Sequence, residues 1–209
     1  MFRKGMPMKY VWINPVTDRM YEKEVLDQFL KKHGYKRIEI TKDWLSIVRE
    51  KYGREVEFSK KTVIDVRCPM AAKLVRELAK EDAYQFPEIW PILIHCGYEL
   101  STRGNDGGEI FITTPCQALA DQGNALGFAK VRFLPWKSFL KELGSSPENE
   151  IPKETPIPLG FFEKLKLSTK SLTGEDEIRE YFQLEQTEKV DLIEMLYCKG
   201  GCHKGDGIR

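Results

Sequence analysis

The sequence predicts an α/β fold built of mostly parallel sheets flanked by helices. Short β-prone runs alternate with stretches of helical spacing along most of the 209 residues, the pattern that places helices on the faces of a parallel sheet. Hydrophobic residues make up 41%, close to the globular average, so disorder over the whole length is excluded. The length suits one large domain or two lobes sharing a core.

The elements follow in order. KYVWIN, Lys9 to Asn14, is a compact β-prone run closed by Pro15. Tyr21, Val25, Leu26, Phe29 and Leu30 then recur at helical spacing, with Gly34 at the expected C-terminal cap. KRIEI is a second strand. Thr41 is placed to cap a helix in which Trp44, Leu45, Val48 and Tyr52 share a face. KTVIDVR is a third strand. Pro69 stands in the first turn of the next helix, whose Met70, Leu74, Val75 and Leu78 lie on one side. Residues 86–103 read as a buried helix interrupted by Pro91, and Gly104 to Gly108 as a flexible turn. EIFITT is a strand, with a short helix starting at Pro115. KVRFLP is another strand, followed by the amphipathic helix WKSFLKELG. Residues 145–160 hold four prolines and little periodicity, so they read as a loop. Thr173 is placed to cap a helix with acids in its first turn. VDLIEML is the final strand. No internal repeat is visible.

Net charge is +1, from 33 basic and 32 acidic residues, so no global field draws the protein to nucleic acid or a membrane surface. No apolar run reaches the roughly 18 residues that span a bilayer. The start, MFRKGMPMKYVWINP, has no apolar core of a secretory signal. The expected location is cytoplasmic, where thiols stay reduced.

Five cysteines are present: Cys68, Cys96, Cys116, Cys198 and Cys202. An odd number argues against a complete disulfide framework, and clustered thiols in a reduced compartment suit metal binding or catalysis. Ligands in parallel sheets bind at the C-terminal ends of strands. Cys68, Cys116 and Cys198 each follow a predicted strand, so their thiols converge if those strands lie at facing sheet edges. Cys96 sits inside an apolar helix and reads as a small buried hydrophobe, with His95 as a satisfied or surface histidine. Gly200 and Gly201 let the chain fold tightly between Cys198 and Cys202 and turn N–H groups toward anionic sulfur, as a thiolate-held iron–sulfur cluster requires. Zinc is the main competitor. Paired C-x-x-C motifs are absent, and His203 abuts Cys202 too closely for both to bind one ion readily. A redox disulfide between Cys198 and Cys202 stays open, although its spacing is not C-x-x-C.

IEMLYCKGGCHKGDG resembles the third motif of the iron-only hydrogenase catalytic domain, roughly E-x-M-x-C-x-G-G-C-x-x-G-G-G. PCQALAD resembles the second, M-P-C-x-x-K, and VRCPMAAKLV the first, S-C-C-P. The three occur in the family order and cover most of the chain from about Lys61 onward. The resemblance implies a single hydrogenase-like unit over 1–209, two-lobed, with a first lobe over 1–104 and a second over 105–209. It implies one 4Fe–4S cluster held between the lobes by Cys68, Cys116, Cys198 and Cys202, with Arg67, Gly200 and Gly201 close by.

The departures fall on the family's two-iron subcluster. Arg67 replaces its proton-delivering cysteine, and Leu119 its cyanide-binding lysine. Thr114 and Leu196 stand where the family has methionines. Leu119 lacks the charge that anchors an anionic ligand, and a guanidinium does not exchange protons near neutral pH. The implied protein is an electron-transfer or redox-sensing iron–sulfur protein with a redox protein partner, not a working hydrogenase. The alternatives are an enzyme with a modified hydrogenase-type centre, a zinc site, or an interaction module without metal. Arg67 reads either as a surface residue or as a cation compensating a negative cluster. Glu194 reads as structural, as part of a proton path, or as solvent-facing.

Overall fold

The computed structural model describes residues 8–79, 82–103, 107–148, 150–184 and 189–209. Two four-stranded parallel sheets organise it, each flanked by helices. They belong to two units assembled from separate stretches of chain. Unit 1 comprises Met1–Lys42, Leu93–Pro156 and Cys202–Arg209, and unit 2 comprises Asp43–Ile92 and Ile157–Gly201. The sequential lobes 1–104 and 105–209 are therefore not the compact units. The physical reason is the pairing of the strands: each sheet takes two from either half of the chain.

The sheet of unit 1 runs β2-β1-β5-β6, from β1 (Lys9–Trp12), β2 (Tyr35–Arg37), β5 (Glu109–Thr114) and β6 (Val131–Pro135). Central β1 pairs in parallel with β2 and with β5, Tyr10 lying opposite Ile110. The chain leaves β1 through α1 (Pro15–Asp18) and α2 (Lys23–Lys32) toward one edge. It leaves β5 through α6 (Gln117–Ala125) toward the other. The order thus reverses between β1 and β5, the place where open α/β sheets form a crevice. Helices α5 (Ile92–Thr102) and α7 (Trp136–Leu143) complete the unit. Its core includes Val11, Ile112, Phe133, Trp136 and Phe139. Trp136 stacks on Phe139, and its Nε1–H donates to the Tyr21 hydroxyl at 2.9 Å, so the indole keeps its hydrogen bond while buried.

The sheet of unit 2 runs β4-β3-β8-β7, from β3 (Thr62–Ile64), β4 (Tyr84–Gln85), β7 (Thr169–Thr173) and β8 (Leu192–Leu196). All five residues of β8 are buried, as expected of an interior strand. Helices α4 (Pro69–Leu78) and α8 (Glu175–Gln183) make both crossovers in the same direction across the sheet. Right-handed connections then put them on one face, where they pack together. Helix α3 (Trp44–Phe58) supplies Val48 and Tyr52 to a core shared with Val63, Val75, Phe162, Leu172 and Met195.

Several local expectations change. Asp43, not Thr41, caps α3, its carboxylate accepting from Ser46 N–H at 3.1 Å; Thr41 instead donates to the buried Glu99. Leu45 is 55% exposed, because the buried stripe of α3 runs through Trp44, Val48 and Tyr52. Pro91 precedes α5 rather than interrupting it, and Tyr84–Gln85 forms the short strand β4. Helix α6 starts at Gln117, two residues after Pro115. Thr173 ends β7, and Gly174 occupies the cap of α8. The turn expected over Gly104–Gly108 falls mostly outside the described residues. No helix of the described residues is long and apolar enough to cross a membrane.

Candidate functional site

Cys68 caps α4 beyond the C-terminal end of β3, with Pro69 in the first turn where no N–H is needed. Its side chain makes no capping hydrogen bond to the helix. Burial, first, and the Asp65 charge push the thiol pKa up. Cys198 follows β8, two residues beyond Leu196. Since β3 and β8 are parallel neighbours, with Ile64 opposite Ile193, both cysteines leave the same end of the unit 2 sheet. Gly200 and Gly201 have φ of +82° and +122°, the left-handed region that favours glycine, and Gly201 N–H closes the turn on Cys198 C=O at 2.9 Å.

Cys116 belongs to unit 1, where it caps α6 at the C-terminal end of β5. Cys202 opens a 3-10 turn, Cys202–Lys204, in the same unit. The tail beyond it docks on the β5–α6 turn. Gly207 N–H donates to Pro115 C=O at 3.1 Å, and Gln117 N–H donates to Asp206 Oδ1 at 3.0 Å. A Cβ on Gly205 would stand 2.4 Å from the Pro115 carbonyl oxygen, so the fit has no room for a side chain. The thiols of Cys68, Cys116, Cys198 and Cys202 are half-buried, and none of the five cysteines forms a disulfide. Cys96 is fully buried in α5, and burial pushes its pKa to about 12.

Arg67 is not a surface residue. Its side chain is 11% exposed and committed to two buried carboxylates. Nε and Nη2 donate to the two oxygens of Asp65 at 2.9 and 2.8 Å, and Nη2 also reaches Glu194 Oε1 at 3.0 Å. The guanidinium lies 3.8 Å from the ring centre of Phe161. Burial alone would lower its pKa, but the Asp65 charge and hydrogen bonds, with Tyr52 and Glu194, raise it. Glu194 is buried too, accepting from Gly160 N–H at 2.7 Å, Phe161 N–H at 3.0 Å and Ser171 Oγ–H at 3.2 Å. Tyr52 donates to Asp65 at 3.2 Å and accepts from Val66 N–H at 2.9 Å. Sequence reasoning missed Asp65, although an acid in an otherwise apolar strand three residues before a cysteine marks it.

The other motif positions are accounted for locally. Leu119 is buried, and Thr114 Oγ1–H donates to Cys116 C=O at 2.8 Å. His203 is buried with Nδ1 lacking a hydrogen-bond partner, and burial, Lys204 and Arg209 hold its pKa below the ordinary value. Among the described residues, no group of three or more His, Cys, Asp or Glu is arranged to hold a metal ion. Cys68 and Cys198 thus leave the same end of the unit 2 sheet, Cys116 and Cys202 belong to unit 1, and Cys198 and Cys202 are four residues apart in the chain. Comparison with protein families, curated proteins and solved structures finds no match to this chain.

Proposed function

We propose that the chain binds one 4Fe–4S cluster through Cys68, Cys116, Cys198 and Cys202. Its role is electron transfer or redox sensing with a redox protein partner in a reducing, cytoplasmic setting. The observation that carries the proposal is the placement of four half-buried cysteines at the C-terminal ends of central strands and in the tail docked on one of them. A cubane places its four thiolates on four separate irons, so it needs corners rather than the single focal point of one zinc ion.

When bound, the cluster would supply reversible one-electron transfer. The chain's own residues favour that over chemistry on a substrate. Four thiolates would leave no iron open. Arg67 is locked between Asp65 and Glu194 and offers no exchangeable proton near neutral pH. Leu119 places no cation beside Cys116.

Anaerobic purification or reconstitution, with iron and sulfide analysis and EPR of the reduced protein, tests this. The expected content is about four iron and four sulfide per chain. Cys116→Ser and Cys202→Ser are expected to lose most of it. Well under one cluster per chain after reconstitution, or zinc in its place, overturns the proposal.

A further inference from the structure

The C-x-x-x-C stretch is held by two side chains that are not cysteines, Thr173 from outside the quoted motifs and Asp206 from the end of the third. In unit 2, Thr173 Oγ1 accepts from Gly200 N–H at 2.9 Å and donates to Cys198 C=O at 3.4 Å. The Thr173 hydroxyl is therefore turned away from the helix that the sequence expects it to cap. Helix α8 starts without a side-chain cap, and the Glu177 carboxylate accepts from Thr173 N–H at 3.1 Å. Two consecutive glycines with positive φ make a turn with many alternatives, and the Thr173 oxygen is the side-chain partner that selects one of them. In unit 1, the Asp206 carboxylate accepts from Gln117 N–H, directly after Cys116. It sits at the start of α6, where a negative charge is favoured. The flanking glycines of the tail fit against Pro115 with no space for a Cβ, and Gly205 N–H returns to Cys202 C=O at 3.0 Å.

We infer that Thr173 and Asp206 are positioning residues: Thr173 fixes the turn that presents Cys198, and Asp206 fixes the tail that carries Cys202 against the turn holding Cys116. The inference rests on the cluster assignment above. Neither residue is among the proposed ligands. Each acts through a backbone N–H one or two residues from a ligand, as outer partners of metal sites do.

Thr173→Val and Asp206→Ala remove the accepting oxygens, whereas Thr173→Ser and Asp206→Asn keep them. Two readouts are taken: amide exchange at Gly200 and Gln117 in the metal-free protein, and the rate at which a chelator strips iron from the reconstituted protein. Thr173→Val is expected to deprotect Gly200 and Asp206→Ala to deprotect Gln117. Both are expected to lose iron roughly 10–100-fold faster. The Ser and Asn variants are expected to follow the wild type. Wild-type stripping rates in Thr173→Val and Asp206→Ala overturn the positioning role and leave the cluster assignment standing. A wild-type protein that takes up no iron overturns both, and it does so before any variant is compared. Asp206 is exposed, so its truncation leaves the core untouched. If Thr173→Val does not fold, the Asp206 variants decide the matter.

Discussion

Arg67 answers two buried carboxylates with one guanidinium. Asp65 is fully buried and Glu194 nearly so, and both rely on Arg67 for their countercharge. Replacing Arg67 with Met keeps most of the bulk against Phe161 and leaves two buried charges facing no cation. Such a loss is expected to cost roughly 3–5 kcal/mol, seen as a lowered urea midpoint with far-UV dichroism retained. In the Arg67→Met, Asp65→Asn, Glu194→Gln triple variant, much of that loss is expected to return. The residue scale is also where the sequence was least informative. RCP told of a strand end and a helix start, but whether the arginine met solvent, a cluster or two acids depended on Glu194, 127 positions away. The partners of Thr173 and Asp206 were hidden for the same reason, and Thr173 read as a helix cap instead. A lone hydroxyl or carboxylate has no period, and its partners lie 27 and 89 positions off.

At the scale of elements, strands with strong patterns were legible and short ones were not. EIFITT and LIEML announce β5 and β8 through β-branched and apolar runs that only an interior strand can bury. The edge strands β4 and β7, YQ and TKSLT, carry no such run, since an edge needs less apolar cover. Helix α3 shows how a start signal is misassigned. The sequence points to Thr41 as the cap, but the buried Glu99 engages Thr41 and Asp43 caps the helix instead. The Asp43 carboxylate is held below its ordinary pKa first by its hydrogen bonds with Ser46, then by the Arg49 charge. The folded value lies below the unfolded one, so the unfolded state binds the proton more readily. The stabilisation is then complete above the unfolded pKa and is lost as pH falls through the lowered folded value. Asp43→Asn keeps an accepting oxygen but not the titration. Its urea midpoint is expected to fall less than that of the wild type between about pH 6 and about pH 3.

Across the whole molecule, each half of the chain contributes a strand pair to both sheets. Residues 1–104 supply β2-β1 and β4-β3, and residues 105–209 supply β5-β6 and β8-β7. The joins, β1 with β5 and β3 with β8, are central. A two-stranded piece has too little buried face to stand alone. Fragments 1–104 and 105–209 are therefore expected to be unfolded apart, with collapsed amide dispersion in NMR spectra, and to gain dispersion when mixed. Folded separate fragments would contradict this topology. The α/β class was readable from alternation, because period and punctuation are local. Interleaving was not, because strand order is settled by which edges meet and no local pattern records it.

The interior place of β8 sets a timetable for synthesis. Strands β3 and β7 leave the ribosome early enough to wait, yet the slot between them stays open until Leu192–Leu196 emerge. Cys198 and Cys202 follow immediately behind. A nascent chain therefore cannot present all four thiols of the proposed site before the strand that closes the unit 2 sheet has been made, and loading of the proposed cluster would wait on the order of translation itself.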